Sequence, residues 1–165
     1  MPQRAYRFRF YPNAIQRGML ARMFGTGRWV WNRCLSWRTT AYRQDGESLT
    51  GVDFSRELTF LKTLEPSAWL REVPATIATQ ALRDQDRAFR AFFRGDARYP
   101  RYKSRRGPQS VRLQLDQRVV AGNYRAGELL RLPGLGTCRL SWSRKPQGTR
   151  TLPARESEAR AGSPR

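Results

Sequence analysis

Histidine is missing from all 165 residues. That removes the most common general base and the most common metal ligand, and with them any Ser–His–Asp triad. Cysteine occurs only at Cys34 and Cys138, with neither CxxC spacing nor the number a disulfide framework needs. Zinc sites are thereby nearly excluded, and a reduced cytosolic compartment is expected. No run approaches the ~20 apolar residues of a membrane span, and no apolar segment follows the N-terminus as in a signal peptide. The chain is expected to be soluble, with no membrane partner. No GxxxxGK[ST] or GxGxxG phosphate loop is present. Lysine is scarce, at Lys62, Lys103 and Lys145. Acids are scarcer than bases, 13 against 32, and are wholly absent before Asp45.

What fills that acid-free quarter is arginine and aromatic rings. Nine arginines, from Arg4 to Arg43, alternate with residues such as Tyr6, Phe8, Phe10, Trp29, Trp31 and Trp37. Arginine pairs bidentately with phosphate and stacks its flat guanidinium on rings and bases. The net charge of +19 and a pI of ≈ 11.5 extend the bias to the whole chain, so nucleic acid is the expected partner. The preference for arginine over lysine also fits a GC-rich genome; the missing acids do not follow from that.

Hydrophobic periodicity predicts an α+β chain. Residues 4–11 alternate as a strand, with Tyr6, Phe8 and Phe10 on one face and Arg7, Arg9 and Tyr11 on the other. Asn13 caps a first helix carrying Ile15, Met19, Leu20, Met23 and Phe24, and Gly25 and Gly27 are expected to end it. A second helix over 28–43 would bury Val30, Cys34, Trp37 and Ala41, making the pair a helix-turn-helix-like hairpin. Asp53 caps a third helix through Lys62. Pro74 opens a long one over 74–94, with Ala78, Ala81, Leu82, Ala88, Phe89, Phe92 and Phe93 as its stripe. Strands are expected at 111–115, at 118–121 and 128–132 around a turn, and at 137–142. A first strand so far from the others implies one β domain with a helical insertion. Residues 144–165 have Leu152 as their only large apolar residue and are expected to be a disordered tail.

The acids offer no convergent site. Asp84 and Asp86 sit two apart on a helix and point about 200° apart; Asp96 and Asp116 lie near basic loops and are expected to be solvated or paired. Binding residues are more plentiful. Arg7, Arg9, Arg28, Arg33, Arg101, Lys103, Arg105 and Arg106 are candidate phosphate contacts. Trp29, Tyr99 and Tyr102 are candidates to stack on exposed bases. The run 98–106 holds five positive charges, two tyrosines and no acid; such a loop is expected to be stable mainly against a counter-charge.

Several segments, in order, resemble the TnpB (OrfB) transposon-encoded proteins. They are 4–13 (RAYRFRFYPN), 25–32 (GTGRWVWN), 55–62 (SRELTFLK), 69–73 (WLREV), 80–84 (QALRD), 88–93 (AFRAFF), 99–105 (YPRYKSR) and 132–136 (LPGLG). The resemblance implies a wedge-type β-barrel from residues 1–12 and 108–143, incomplete here. It also implies a helical recognition lobe inserted at 13–107 and ending in the basic loop. It adds Asn32, Ser55, Arg56 and Gln80 to the candidate nucleic-acid contacts, with guide-type RNA and target DNA as partners. The family cuts DNA with a RuvC-like domain of three acids that uses divalent metal, interrupted by a four-cysteine zinc ribbon. Both lie C-terminal to the region matched here.

The expected function follows: the nucleic-acid-binding N-terminal portion of a TnpB-like transposase-associated protein, in a transposition and DNA-recombination context. It would carry no catalytic residue, metal or other cofactor and take no small-molecule substrate. It would act as a monomer with RNA in a bacterial or archaeal cytoplasm, near the nucleoid. Residues 147–160 read as out-of-frame translation, so a truncated or frameshifted member is expected. A helix-turn-helix regulator of duplex DNA and an inert transposon remnant remain alternatives.

Overall fold

Alternation in the first strand and a capping residue two positions beyond it set the entry to the helical part. β1 (Arg9–Tyr11) exposes Arg9 and Tyr11 and turns Phe10 inward. Asn13 then caps α1 (Ala14–Asp45) through a capping box: Gln16 N–H donates to Asn13 Oδ1 at 2.8 Å and Asn13 N–H to Gln16 Oε1 at 3.0 Å. The computed structural model describes residues 9–113, 129–141 and 157–160. The remaining elements are α2 (Gly51–Leu61), a 3-10 helix (Glu65–Arg71), α3 (Ala75–Phe93), β2 (Ser110–Leu113), β3 (Leu129–Leu132), β4 (Gly136–Ser141) and β5 (Ser157–Arg160).

The expected helical hairpin within 15–42 is not formed. α1 is one helix of 32 residues, about 48 Å long, and Gly25 and Gly27 lie inside it without a positive φ. Each costs about 1 kcal/mol against alanine, and burial on either side of them offsets that. Leu20 and Met23 pack into one apolar cluster, Val30 and Cys34 into another. The stop comes instead at Gly46, whose φ of 68° is left-handed. There the N–H groups of Gly46 and Glu47 donate to Tyr42 O and Ala41 O at 3.0 and 3.4 Å, the first of them the 5→1 bond of an αL cap. The next helix starts earlier than expected: Thr50 is its N-cap, and Asp53, at the third helical position, accepts from Thr50 N–H at 2.8 Å.

β1 pairs antiparallel with β4, Phe10 opposite Leu140, and β4 with β3, giving the order β1-β4-β3. The helices therefore sit between strands that are partners, as the spacing implied. A second sheet pairs β2 with β5. β5 lies within the segment assigned by composition to a disordered tail. A strand that adds to an open edge is held by main-chain hydrogen bonds, so its poverty in apolar residues does not prevent the pairing. The described strands make these two small antiparallel sheets. The expected strand at 118–121 lies outside the described residues.

Two clusters form the core. One joins α1 to the strands through Leu20, Met23, Ile77, Leu113, Leu135 and Cys138. The other joins the helices through Val30, Cys34, Phe54, Leu58 and Leu82. The α3 stripe begins further N-terminal than expected: Ile77 is buried and Phe93 is 74% exposed. Gln16 ties the two parts together, its buried amide donating to Thr137 O at 2.8 Å and Leu135 O at 3.2 Å. Asp86 of α3 fixes the three helices: it pairs with the Arg38 guanidinium of α1 and accepts from Gly51 N–H, at the start of α2, at 3.0 Å. Among the described residues no helix is long and apolar enough to cross a membrane.

Candidate nucleic-acid interface

An unbroken α1 brings residues from both of its halves onto one stripe. Arg22, Gly25, Thr26, Trp29, Asn32, Arg33 and Ser36 recur at helical spacing over four turns, about 21 Å. Opposite them the 3-10 helix places Trp69, and Glu72 follows it. Together they enclose an open groove of about 620 Å³. Its small residues, Gly25 and Ser36, leave room between the larger ones. Trp29 and Trp69 meet edge to face, ring centroids 5.4 Å apart at 85°. Glu72, the one acid in the lining, pairs with Arg22 at 3.1 Å, both side chains largely exposed. Arg33 is exposed and lines the groove. Thr26 also lines it; the residue is 1% exposed and its hydroxyl has no hydrogen-bond partner among the described residues. A buried polar group left unpaired costs about 1–3 kcal/mol.

The basic loop 98–106 runs beside this groove and is fastened to α1. Asn32 accepts from Lys103 N–H at 2.8 Å and donates to Lys103 O at 3.0 Å. Trp31 Nε1 donates to Arg101 O at 2.9 Å. Gln109 accepts from Arg28 at 3.0 Å and donates to the carbonyls of Ser104, Arg105 and Gly107. The expectation that a counter-charge is the loop's main support is thus corrected: backbone-directed bonds from uncharged side chains hold its main chain. They leave Arg101, Tyr102, Arg105 and Arg106 exposed. Lys103 is exposed along its stem, but its ammonium lies 4.1 Å from the centroid of the Trp31 ring. Desolvation there lowers its pKa, with Asp84 acting in the opposite direction.

The sequence candidates therefore divide. Arg28, Trp29, Asn32 and Arg33 line the groove, and Arg101, Tyr102, Lys103, Arg105 and Arg106 lie on the adjoining loop. Asn32 is chiefly the clasp between the two. Arg9 is exposed on β1, and Ser55 and Arg56 on α2, with no bond to the groove or loop. Gln80 is 3% exposed within α3 and lines a second, smaller recess with Arg28, Lys103 and Gln109. Tyr99 packs edge-on against Phe89 and Phe92, and its hydroxyl lies 3.0 Å from that of Thr39. Its ring belongs to that cluster and remains 43% exposed. Arg7 lies outside the described residues. Sequence reasoning missed Arg22, Thr26, Trp69 and Gln109. The i, i+3, i+4, i+7 spacing from Arg22 to Trp29 was the available signal, hidden by the helix break placed at Gly25.

The acids are engaged elsewhere. Asp84 pairs with Arg112 at 2.9 Å and Arg87 at 3.6 Å, Asp86 with Arg38, and Asp96 with Arg94 at 2.8 Å. Cys34 and Cys138 are free and belong to separate clusters. Burial pushes both thiols up to about 11. No group of three Cys, Asp or Glu among the described residues is arranged to hold an ion. The described residues do not fit a RuvC metal pair or a zinc ribbon; Asp116 lies outside them.

Comparison with known proteins agrees with the motifs. Residues 1–47 match the helix-turn-helix domain of the OrfB (IS605) type; in this chain their described part includes β1 and the whole of the single helix α1. A Streptomyces pristinaespiralis protein named "Putative RNA-guided DNA endonuclease" is 35% identical over 161 residues, covering 97% of this chain and 39% of that protein. An Escherichia coli K12 protein named "Putative RNA-guided DNA endonuclease InsQ" is 28% identical over 150 residues, covering 87% of this chain and 35% of that one. The chain spans less than two fifths of one of these relatives and about that share of the other. Its N-terminal residues match that helix-turn-helix domain, and it is similar to these two relatives over most of its own length.

Proposed function

We propose that this chain is the nucleic-acid-binding N-terminal portion of a TnpB-like, transposition-associated protein, holding guide-type RNA and its target DNA. The observation that carries the reading is one continuous basic face, made when Asn32 and Trp31 fasten the 101–106 loop alongside the arginine-lined groove of α1. Arg28, Arg33, Arg101, Arg105 and Arg106 supply phosphate contacts on it. The strands serve as part of a wedge-type barrel carrying the helices as an inserted recognition lobe; the β1–β4 pairing supports that arrangement. Cutting is not carried by these residues, and the names of the relatives suggest that a nuclease half elsewhere supplies it. The protein works in the cytoplasm at the nucleoid, as a monomer on its RNA.

The test is purification from the native host and sequencing of the RNA that comes with it. One dominant transposon-end RNA supports the proposal. A random sample of cellular RNA reduces it to non-specific polyanion binding by a +19 chain. A regulator built on a helical hairpin within 15–42 is disfavoured, because α1 has no turn there.

A further inference from the structure

We infer that the groove between α1 and the 3-10 helix is a subsite for a single unpaired nucleotide, its base against Trp29 and Trp69 and its phosphate toward Arg33. This rests on the nucleic-acid reading above and says which state of the nucleic acid the site takes.

Shape decides first. Reading duplex DNA by its bases takes a convex element, a helix or a two-stranded ribbon, entering a groove of the nucleic acid. Here the protein is the concave partner, with about 620 Å³ of space, within the range of small-ligand sites. Bases inside a duplex are stacked on one another and do not enter such a slot; a splayed base does. The rings decide next. In an edge-to-face pair one ring keeps its faces clear of the other, and Trp69 is 36% exposed. An uncovered indole in a basic groove is a stacking surface for any base.

Charge then orients the nucleotide. Glu72 sits with Arg22 at the N-terminal end of the stripe, which makes that end nearly neutral. Arg33 stands toward the other end, beyond Trp29, with no acid in the lining beside it. A phosphate is drawn to the Arg33 end and repelled by Glu72. Thr26 is buried in the same lining, its hydroxyl without a partner among the described residues, and a small shift of its side chain would offer that hydroxyl to the nucleotide. The 101–106 loop lies on the same side through Asn32, so a strand leaving the groove continues over further guanidinium groups.

The test is fluorescence anisotropy of the full chain with three probes of equal length: a single-stranded RNA, the same strand in a duplex, and the single strand with its bases replaced by abasic sites. For the wild type, the abasic strand is expected to bind about tenfold more weakly than the intact one. Trp69→Leu is expected to weaken the intact single strand by a similar factor and leave the duplex unchanged, while Trp69→Phe retains binding. Arg33→Gln is expected to weaken both single-stranded probes. If the wild type binds none of the probes, the nucleic-acid reading fails and the subsite with it. If it binds them but abasic and intact strands bind alike, or Trp69→Leu affects duplex and single strand equally, the subsite is overturned while nucleic-acid binding stands. A thermal melt of Trp69→Leu matching the wild type separates lost stacking from lost folding.

Discussion

Replacing Gly25 by alanine asks whether α1 is one helix or two, because the two answers differ in sign. Gly25 lies mid-helix, its φ is not positive, and a Cβ built there meets no atom within 4 Å. In an unbroken helix the substitution removes glycine's backbone-entropy penalty and stabilises by about 0.8–1.0 kcal/mol. With a urea m-value of about 2 kcal/mol/M, the midpoint rises by about 0.4–0.5 M. The corresponding rise in melting temperature is about 2–4 °C. Were Gly25 the left-handed stop of a first helix, alanine would cost about 1–2 kcal/mol instead. Urea unfolding followed by far-UV circular dichroism reads the sign directly. Gly27→Ala is the companion: its Cβ would stand 3.7 Å from Ile77 and 3.8 Å from Val111, ordinary contact distances, so it too is expected to be neutral or stabilising. A fall in the midpoint for either variant refutes the continuous helix and the groove built on it.

Asp86→Ala leaves the 7%-exposed Arg38 without its carboxylate and Gly51 N–H without its acceptor; about 3 kcal/mol of stability is expected to be lost in urea unfolding, and a loss under about 1 kcal/mol would refute the three-helix clasp. The two buried thiols, raised from 9.0 to about 11, hold their protons more tightly when folded, so their contribution is complete below pH 9 and is lost as pH rises toward 11. The lowered pKa of Lys103 acts the other way as pH climbs to 10.5. Urea midpoints are expected to fall across that window, less so in Cys34→Ala/Cys138→Ala, and alkylation at neutral pH is expected to label neither thiol until the chain unfolds. Replacing Arg105 and Arg106 by glutamine is expected to flatten the salt dependence of RNA binding, the log–log slope falling by about 0.7 for each phosphate contact removed; an unchanged slope in a salt titration would take these two residues out of the interface.

Where signals are local, the sequence was readable. Asn13 and Pro74 mark helix starts because capping chemistry and the fixed φ of proline act within a turn of the chain; Asp53 missed the true cap, Thr50, by three residues. Arg9, Phe10 and Tyr11 show their alternation for the same reason. The helical insertion between partnered strands was also legible, from spacing alone. What escaped depends on distant partners. Gly25 and Gly27 read as breakers because nothing nearby reveals that Leu20 and Val30 will each find a cluster. Nothing local to Gln16 announces its bonds to Leu135 and Thr137, which cross more than a hundred positions. The packing of Tyr99 against Phe89 and Phe92 was out of reach for the same reason, since those rings lie on another element of the chain. The groove needed both failures repaired at once, since its stripe crosses Gly25 and its far wall comes from Trp69.

The pairing of β1 with β4 sets a clock on biosynthesis. Tyr11 leaves the ribosome 130 residues before Ser141, the last residue of its partner strand. At 5–20 residues per second that delay is about 7–26 s. Throughout it the first strand lacks β4, its neighbour in the β1-β4-β3 sheet, while the helices, whose contacts are closer in the chain, are free to assemble behind it. A nascent strand waiting that long risks pairing with its copies on a polysome. Arg9 on the strand, and the acid-free arginine field that follows, set like charges against one another wherever two such strands meet, and so guard the edge until β4 arrives.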